Sequence, residues 1–447
     1  MSLLEKYAVP GPRYTSYPTV PYWEGLGPDE KGWIRAIRES LSEGEPQLSL
    51  YIHLPYCEKL CTFCGCNTRI TKRHEVEEPY IEALLKEWKA YCGILPSNAQ
   101  IAEIHLGGGT PTFFSPSHLK HLIEGLLAHV PRAHDFEFSF EANPNTTRTE
   151  HLQVLFDLGF RRVSFGIQDF DPKVQAIIHR VQPFQTVEKV VEEARDIGYT
   201  SINFDLIYGL PAQTVSTILD SIEKTASLKP DRLAFYSYAH IPWIKPAQRM
   251  YEDLLPSEED KFEFYEKGKA ALEKQNYIDI GMDHFALPMD RLHQAMEQGY
   301  LHRNFMGYTT TSTKVQIGLG ASSISDAWTA FVQNEKKVED YMDAVDRGEF
   351  PFYRGHVLNA EDEYVRRHIL NIMCQFETHF ECKDAPQFWP EVKERLKPME
   401  SDGLVIVGKR CIVVAPAGRP FVRNICMALD ARMWRKRPTS HIFSQTV

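Results

Sequence analysis

The sequence predicts an α/β chain, a run of parallel βαβ units followed by a smaller, mostly helical C-terminal domain. Three observations carry that prediction. Short apolar runs recur at LSLYIHL (48–54), IAEIHL (101–106), FEFSFEA (136–142), RRVSFGIQ (161–168), SINFDLIYG (201–209) and RLAFYSYA (232–239). Longer stretches of helical periodicity, such as EPYIEALLKEWKAY and TVEKVVEEARDIG, lie between most of them. That alternation is expected of parallel strands joined by crossover helices. From about residue 361 the pattern is helical apart from one β element, GLVIVGKRCIVV (403–414).

Taken in chain order, residues 1–45 form an arm. Its segment VPGPRYTSYPTVPYW holds too many prolines for a helix and should run extended over another part of the protein. A helix is expected near 29–43. Residues 46–275 form the βαβ core, in which chemistry should gather at the carboxyl ends of the strands. Residues 276–360 are a linking region that completes the site and contains GMDHFALP and HRNFMGYTTTSTKVQIGLGASSI. Helices and a β-hairpin in 361–447 suggest a winged-helix-like domain.

Composition narrows the class. Of 447 residues, 43% are hydrophobic and 25% charged, the balance of a soluble globular protein and not of a disordered one. No apolar run approaches the roughly 18–20 residues that span a bilayer. The start, MSLLEKYAVPGPRYTSYPT, lacks a basic stretch followed by an apolar one, so no membrane association and a cytoplasmic location are expected. A net charge of −10 argues against general nucleic-acid binding. The basic cluster Arg419, Arg423, Arg432, Arg435, Lys436 and Arg437 reads as solvated surface charge.

Nine cysteines are unevenly spread. Cys92, Cys374, Cys382, Cys411 and Cys426 are scattered and read as ordinary buried thiols. Cys57, Cys61, Cys64 and Cys66 fall within ten residues, in the spacing C-x3-C-x2-C-x-C, directly after the first strand. Such a cluster in a reduced compartment points to metal binding. Zinc normally takes two knuckles or added histidines, and no second knuckle is present. Three close thiolates suit an iron–sulfur cubane whose fourth iron stays open to chelate S-adenosylmethionine (SAM).

Other residues gain meaning from that loop. The glycines of LGGGTPT (106–112) allow close backbone approach to an anion. The motif lacks the Lys-Ser/Thr pair of a P-loop, and alone it reads as a tight turn; after a cysteine loop it is a plausible seat for the amino-acid part of SAM. Glu141, Gln168, Arg180, Asp205 and His240 recur at or near strand ends, where each reads equally as a ligand or as part of an ion pair. Tyr51 and His53 face one side of the first strand, just before Cys57. A strand histidine is more often a satisfied core residue; beside this loop a catalytic role weighs the same.

With these residues in place, the chain resembles the radical SAM superfamily, whose core is a partial (β/α)6 barrel. Within it the similarity is closest to the oxygen-independent coproporphyrinogen III dehydrogenases of haem biosynthesis. It is carried by GPRYTSYPT, the cysteine loop ending in CGCN, GGGTPT, FDLIYGLP, YAHIP, GMDHFALP, LHRNF with GYTT, and VRNICMALD. The resemblance implies that a reduced [4Fe–4S] cluster splits SAM and that the resulting 5′-deoxyadenosyl radical takes a hydrogen from a propionate. Loss of CO2 and of one electron then leaves a vinyl group, and two such reactions give protoporphyrinogen IX.

The resemblance also assigns residues. Cys57, Cys61 and Cys64 ligate the cluster, while Cys66 is typical of the family without being a ligand. Tyr51 and His53 belong to the catalytic centre. Tyr51, Gly108, Glu141 and Ile324 match positions at a first SAM; Phe63, Gly109, Thr110, Gln168, Arg180, Asp205 and Ala239 match a second. Arg13 is expected to grip a substrate propionate, because a guanidinium pairs bidentately with a carboxylate. The porphyrinogen, an electron donor such as a flavodoxin or ferredoxin, and a monomeric state complete the expectation. Four features depart from the family's usual pattern: Met306, His179, TTSTKVQIG and EANPN (141–145). Two rival readings stay open. A haem-carrying chaperone of the superfamily is usually shorter and lacks the arm and Cys66; another radical enzyme acting on a tetrapyrrole usually has an aromatic residue in place of Cys66.

Overall fold

Each of the six apolar runs is a strand in the computed structural model, which describes residues 3–23, 25, 29–380, 389–436, 443, 445 and 446. They are β1 (Gln47–Leu54), β2 (Gln100–Gly108), β3 (Arg132–Ala142), β4 (Phe160–Gln168), β5 (Ser201–Tyr208) and β6 (Arg232–Ser237). All six pair in parallel, in sequence order. The connections carry α1 (Glu77–Cys92), α2 (Pro116–Leu127), α3 (Thr149–Asp157), α4 (Phe184–Ile197) and α5 (Val215–Ser227), and α6 (Glu258–Lys274) follows β6.

Local chemistry sets these elements. Leu48, Leu50, Ile52 and Leu54 alternate along β1 and are fully buried, the apolar signature of a covered parallel strand. Ser115 caps α2 by accepting from the His118 N–H, with Pro116 at the first helical position. Gly198 ends α4 at φ 113°, a left-handed conformation open to glycine. The early helix runs Glu30–Ser40, where Asp29 accepts from the Gly32 N–H.

The chain divides into two compact units. The larger holds Glu24–Gln275 and Thr313–Val357, the smaller Met1–Trp23, Asn276–Ser312 and Leu358–Val447. The stretch expected to act as a linker is therefore shared between them. Its second part adds β7 (Val315–Leu319), β8 (Ile324–Asp326), β9 (Ala330–Asn334) and β10 (Phe352–Val357) to the sheet of the larger unit. β7 pairs in parallel with β1, and β8 to β10 continue outward antiparallel. These strands are short and broken by turns, which is why no clear period marks them in the sequence.

In the smaller unit, Glu377–His379, Cys411–Val414 and Val405–Val407 make a three-stranded antiparallel sheet. It packs with helices Ala360–Gln375, Trp389–Ser401 and Val422–Leu429 around Ile369, Ile372, Leu396, Ile412 and Ile425. The described arm is irregular between a short helix at Leu3–Tyr7 and a helical turn at Val20–Tyr22, with Tyr14 and Tyr17 buried in that core. One expectation is corrected: the basic cluster is not simply solvated charge. Arg423 is buried and donates to the Pro12 carbonyl (2.9 Å), and Arg432 clasps the buried Asp362 carboxylate with two bonds of 2.6 and 2.8 Å. Guanidinium groups serve here as internal cross-links, because their several donors satisfy carbonyls that the proline-rich arm leaves without strand partners. Lys436 is exposed. Arg437 and Cys382 lie outside the described residues. Cys374 and Cys426 are buried, while Cys92 and Cys411 are half-buried. Among the described residues no helix is long and apolar enough to cross a membrane.

Candidate active site

The carboxyl ends of β1 to β5 define the site. After β1 the chain turns at Pro55 into the cysteine loop, which is pinned at its base. Arg69 N–H donates to the Pro55 carbonyl (2.7 Å) and Thr71 N–H to that of Cys57 (2.9 Å). Cys64 N–H reaches the Cys61 carbonyl (3.1 Å), and Thr62 N–H reaches Ile178 O (3.1 Å).

The glycine triplet is more than a tight turn. Gly109 N–H donates to Leu54 O (2.8 Å) and Thr110 N–H to Tyr56 O (3.1 Å), drawing the exit of β2 against that of β1. A Cβ at Gly108 would stand 2.8 Å from the His53 ring, and the backbone there has φ +112°. At Gly109 it would stand 2.6 Å from the Pro55 carbonyl carbon. Close approach on both sides therefore requires glycine.

Cys57, Cys61, Cys64, Phe63, Gly108, Gly109, Thr110, Glu141, Gln168, Arg180 and Asp205 all line one cavity of about 630 Å³. Cys66 lines it too, and its N–H points at the Cys64 sulfur (3.4 Å). Thr110 Oγ1 lies 3.3 Å from the Cys57 sulfur. Arg180 spans two elements, donating to Gly166 O on β4 (2.9 Å) and approaching the Cys61 sulfur (3.6 Å). His179 also lines the cavity, in a left-handed conformation with φ 55°.

Tyr51 and His53 stand behind this wall. The Tyr51 hydroxyl is 3.1 Å from His53 Nδ1, and His53 Nε2 is 2.9 Å from Asn67 O in the cysteine loop. Burial holds the His53 ring below the usual histidine range, so it is neutral near pH 7. Ala239 follows β6, and Ile324 opens β8 in the sheet that carries Tyr51. Arg13 belongs to the smaller unit, where it pairs with Asp283 at 2.5 Å. His240 sits between the Tyr238 hydroxyl (3.3 Å) and Glu252 (3.1 Å), an internal brace.

The two carboxylates of the cavity differ. Burial would raise Glu141, but the His105 ring (3.5 Å) and the Gly108 N–H (3.3 Å) outweigh it and hold the carboxyl below the usual range. Burial pushes Asp205 up to about 6, despite donors from Ser164 (3.0 Å) and Asn203 (2.9 Å).

The donor set fits a [4Fe–4S] cluster. Three soft thiol groups share one pocket with a glycine turn whose bare backbone leaves room for close approach. Among the described residues no three His, Cys, Asp or Glu groups converge on a single metal ion. A cubane asks each thiolate to reach a separate iron, so this spread suits a cluster better than a lone zinc.

Comparison with known proteins agrees. A family model described as the radical SAM superfamily matches residues 51–225. The oxygen-independent coproporphyrinogen III oxidase of Helicobacter pylori (strain J99) is 41% identical over 95% of each chain. The chain belongs to the oxygen-independent coproporphyrinogen III oxidase family. The Escherichia coli K12 member is 37% identical, covering 100% of this chain and 98% of its own. The solved E. coli coproporphyrinogen III oxidase, described as a radical SAM enzyme, superposes with a TM-score of 0.89 at 36% identity, over 94% of this chain and 97% of that one. The parallel six-stranded core is thus the partial barrel of radical SAM enzymes, and this oxidase family takes a [4Fe–4S] cluster and SAM.

Sequence reasoning found the cavity wall but missed what holds it. Glu87, on the otherwise apolar face of α1, and Gln248, after β6, are both buried and fix backbone atoms near the site. For Glu87 the available signal was a carboxylate directly before the apolar Trp88 and three residues after Leu84, on the face those two share.

Proposed function

We propose that this protein oxidatively decarboxylates two propionate side chains of coproporphyrinogen III to vinyl groups, giving protoporphyrinogen IX without oxygen. The observation that carries the reading is 41% identity over 95% of both chains to a coproporphyrinogen III oxidase, with the cysteine loop and glycine triplet lining one cavity. Cys57, Cys61 and Cys64 would hold the cluster, which when reduced would supply the single electron needed for reductive cleavage of SAM.

The chain's own residues bind and orient. Tyr51, Gly108, Glu141 and Ile324 serve the first SAM; the Glu141 carboxylate, held low in part by the Gly108 N–H, suits the ammonium of its amino-acid end. Phe63, Gly109, Thr110, Gln168, Arg180, Asp205 and Ala239 serve a second SAM, for which Asp205 offers an acceptor to ribose hydroxyls. His53, neutral and buried, acts by bracing the glycine turn against the cysteine loop. Arg13 takes a propionate, a role supported by the carboxylate it already pairs with. Electrons arrive from a small carrier such as a flavodoxin or ferredoxin.

The test is anaerobic. Reconstituted protein is given SAM, reductant and coproporphyrinogen III, and products are followed by mass. Loss of two CO2 with matching 5′-deoxyadenosine supports the reading; unaltered tetrapyrrole while SAM turns over defeats it.

A further inference from the structure

Phe63 lines the cavity from the cysteine loop, and Ala239, matched to the second SAM by the family resemblance, lies in the segment after β6. Neither contributes a charged side chain, so what each offers a ligand depends on where its backbone is held. A single buried side chain holds both. Gln248 is fully buried; its Nε2 donates to Phe63 O (3.0 Å) and to Ala239 O (3.3 Å), and its Oε1 accepts from the Ile241 N–H (2.6 Å). The orientation of the amide is settled by these partners, since the opposite one would set two carbonyls against an oxygen and an N–H against an amino group.

The segment that carries Gln248 is itself fixed. The Tyr238 and Tyr251 hydroxyls are 3.0 Å apart, and His240 ties to Glu252 (3.1 Å). Lys245 from the same segment donates to Cys66 O (2.7 Å). Gln248 therefore joins a stitched support to the middle of the cysteine loop, one residue before Cys64.

We infer that Gln248 is a positioning residue for the second SAM, fixing the Phe63 and Ala239 backbones at the separation that site requires. This rests on the two-SAM reading given above. Cys57 and Cys61 are anchored by other bonds, those of Thr71 and Arg69 at the loop base and of Thr62 to Ile178. Cluster assembly should thus depend on Gln248 less than the second SAM does.

Gln248→Glu isolates the two donated bonds. Glutamate keeps the shape and the acceptor for Ile241, yet sets a carboxylate oxygen against two carbonyls. Anaerobic equilibrium dialysis of reconstituted protein measures SAM per chain, alongside iron and labile sulfide. The wild type should bind two SAM. The variant should keep its iron and bind one SAM normally and the other roughly tenfold or more weakly at pH 8, the effect of one uncompensated buried polar contact. Measured against the wild type at the same pH, acidification should narrow the deficit, because a protonated carboxyl regains one O–H donor; a merely bulky or unfolding lesion would leave the ratio unchanged. Two SAM bound with wild-type affinity by the variant overturn the positioning role alone. A wild type that binds one SAM removes the second site and this inference with it, leaving the dehydrogenase reading to the mass assay. Gln248→Leu, checked for folding by its thermal transition, should lose the weaker SAM without acid rescue.

Discussion

Replacing Glu87 by glutamine is expected to stabilise the protein relative to the wild type as pH rises. The Glu87 carboxylate is buried on α1 and accepts from Gly320 N–H (2.9 Å), the Tyr341 hydroxyl (2.7 Å) and the Asn334 side-chain amide (2.7 Å). Gly320, at φ +96°, opens the turn that leads into Ile324. Burial disfavours the charged form and outweighs the three donors, so the group moves from 4.5 to about 7. A raised carboxyl contributes stability that is complete below the unfolded value of 4.5 and is lost as pH climbs through about 7. At about 1.4 kcal/mol per pH unit, the interval from 4.5 to about 7 amounts to ~3 kcal/mol, of which roughly 2–3 falls between pH 5 and pH 8. Glutamine cannot ionise. It keeps an acceptor for Gly320 and Tyr341, and its amino group can meet Asn334 Oδ1, which has no partner among the described residues. That swap costs the Asn334 bond to Gly320 O (3.1 Å), a penalty independent of pH. Urea unfolding at pH 5 and pH 8 should therefore show the stability difference shifting by about 2–3 kcal/mol in the variant's favour. A difference that stays constant over this range refutes the burial argument.

Other substitutions test the site directly. Cys57→Ser, Cys61→Ser or Cys64→Ser should abolish the visible absorption of the reconstituted cluster, whereas Cys66→Ser should retain iron and absorption. Gly108→Ala places a Cβ 2.8 Å from the His53 ring at φ +112° and should cost about 1–3 kcal/mol from backbone strain alone, read as a lower Tm with weakened SAM binding. Arg13→Gln should raise the KM for coproporphyrinogen III by roughly tenfold or more while SAM binding and iron content stay unchanged, as expected for loss of a charge-assisted bond to a carboxylate. Second-SAM affinity should improve as pH rises through about 6, where Asp205 ionises and becomes an acceptor only, and Asp205→Asn should flatten that dependence.

The parallel core was legible because strands covered on both faces read as apolar runs, and the runs at 48–54, 161–168 and 201–209 match β1, β4 and β5 to within one residue. The cavity wall was legible for a related reason: polar side chains that end such strands have few places to point other than the site. The supports were not. Glu87 and Gln248 act on backbone atoms 233 and 185 residues away, so no local pattern announces them. β7 to β10 were hidden because a strand such as Ile324–Asp326 is too short to show a period. The basic cluster misled because composition counts charges without showing that Asp362 waits for Arg432 inside the smaller unit.

A loop that accepts an inorganic cluster faces opposed demands. Its sulfurs must stay available, and its backbone must already be near the final geometry, or cluster binding would have to meet the ordering entropy as well. The structure separates these demands by atom type. Cys57, Cys61 and Cys64 remain partly open to the cavity, and their sulfurs meet a threonine hydroxyl, a guanidinium and, at Cys64, the N–H and thiol of Cys66. The carbonyls of Pro55, Cys57, Cys61, Phe63 and Cys66 are each taken by a donor. Backbone bonds at the base, a crossing bond to Ile178 and the Gln248 amide thus hold the frame while the thiols are left to the metal. Loosening the frame should therefore cost SAM placement before it costs iron, and variants of the frame and of the thiols should fail in different assays.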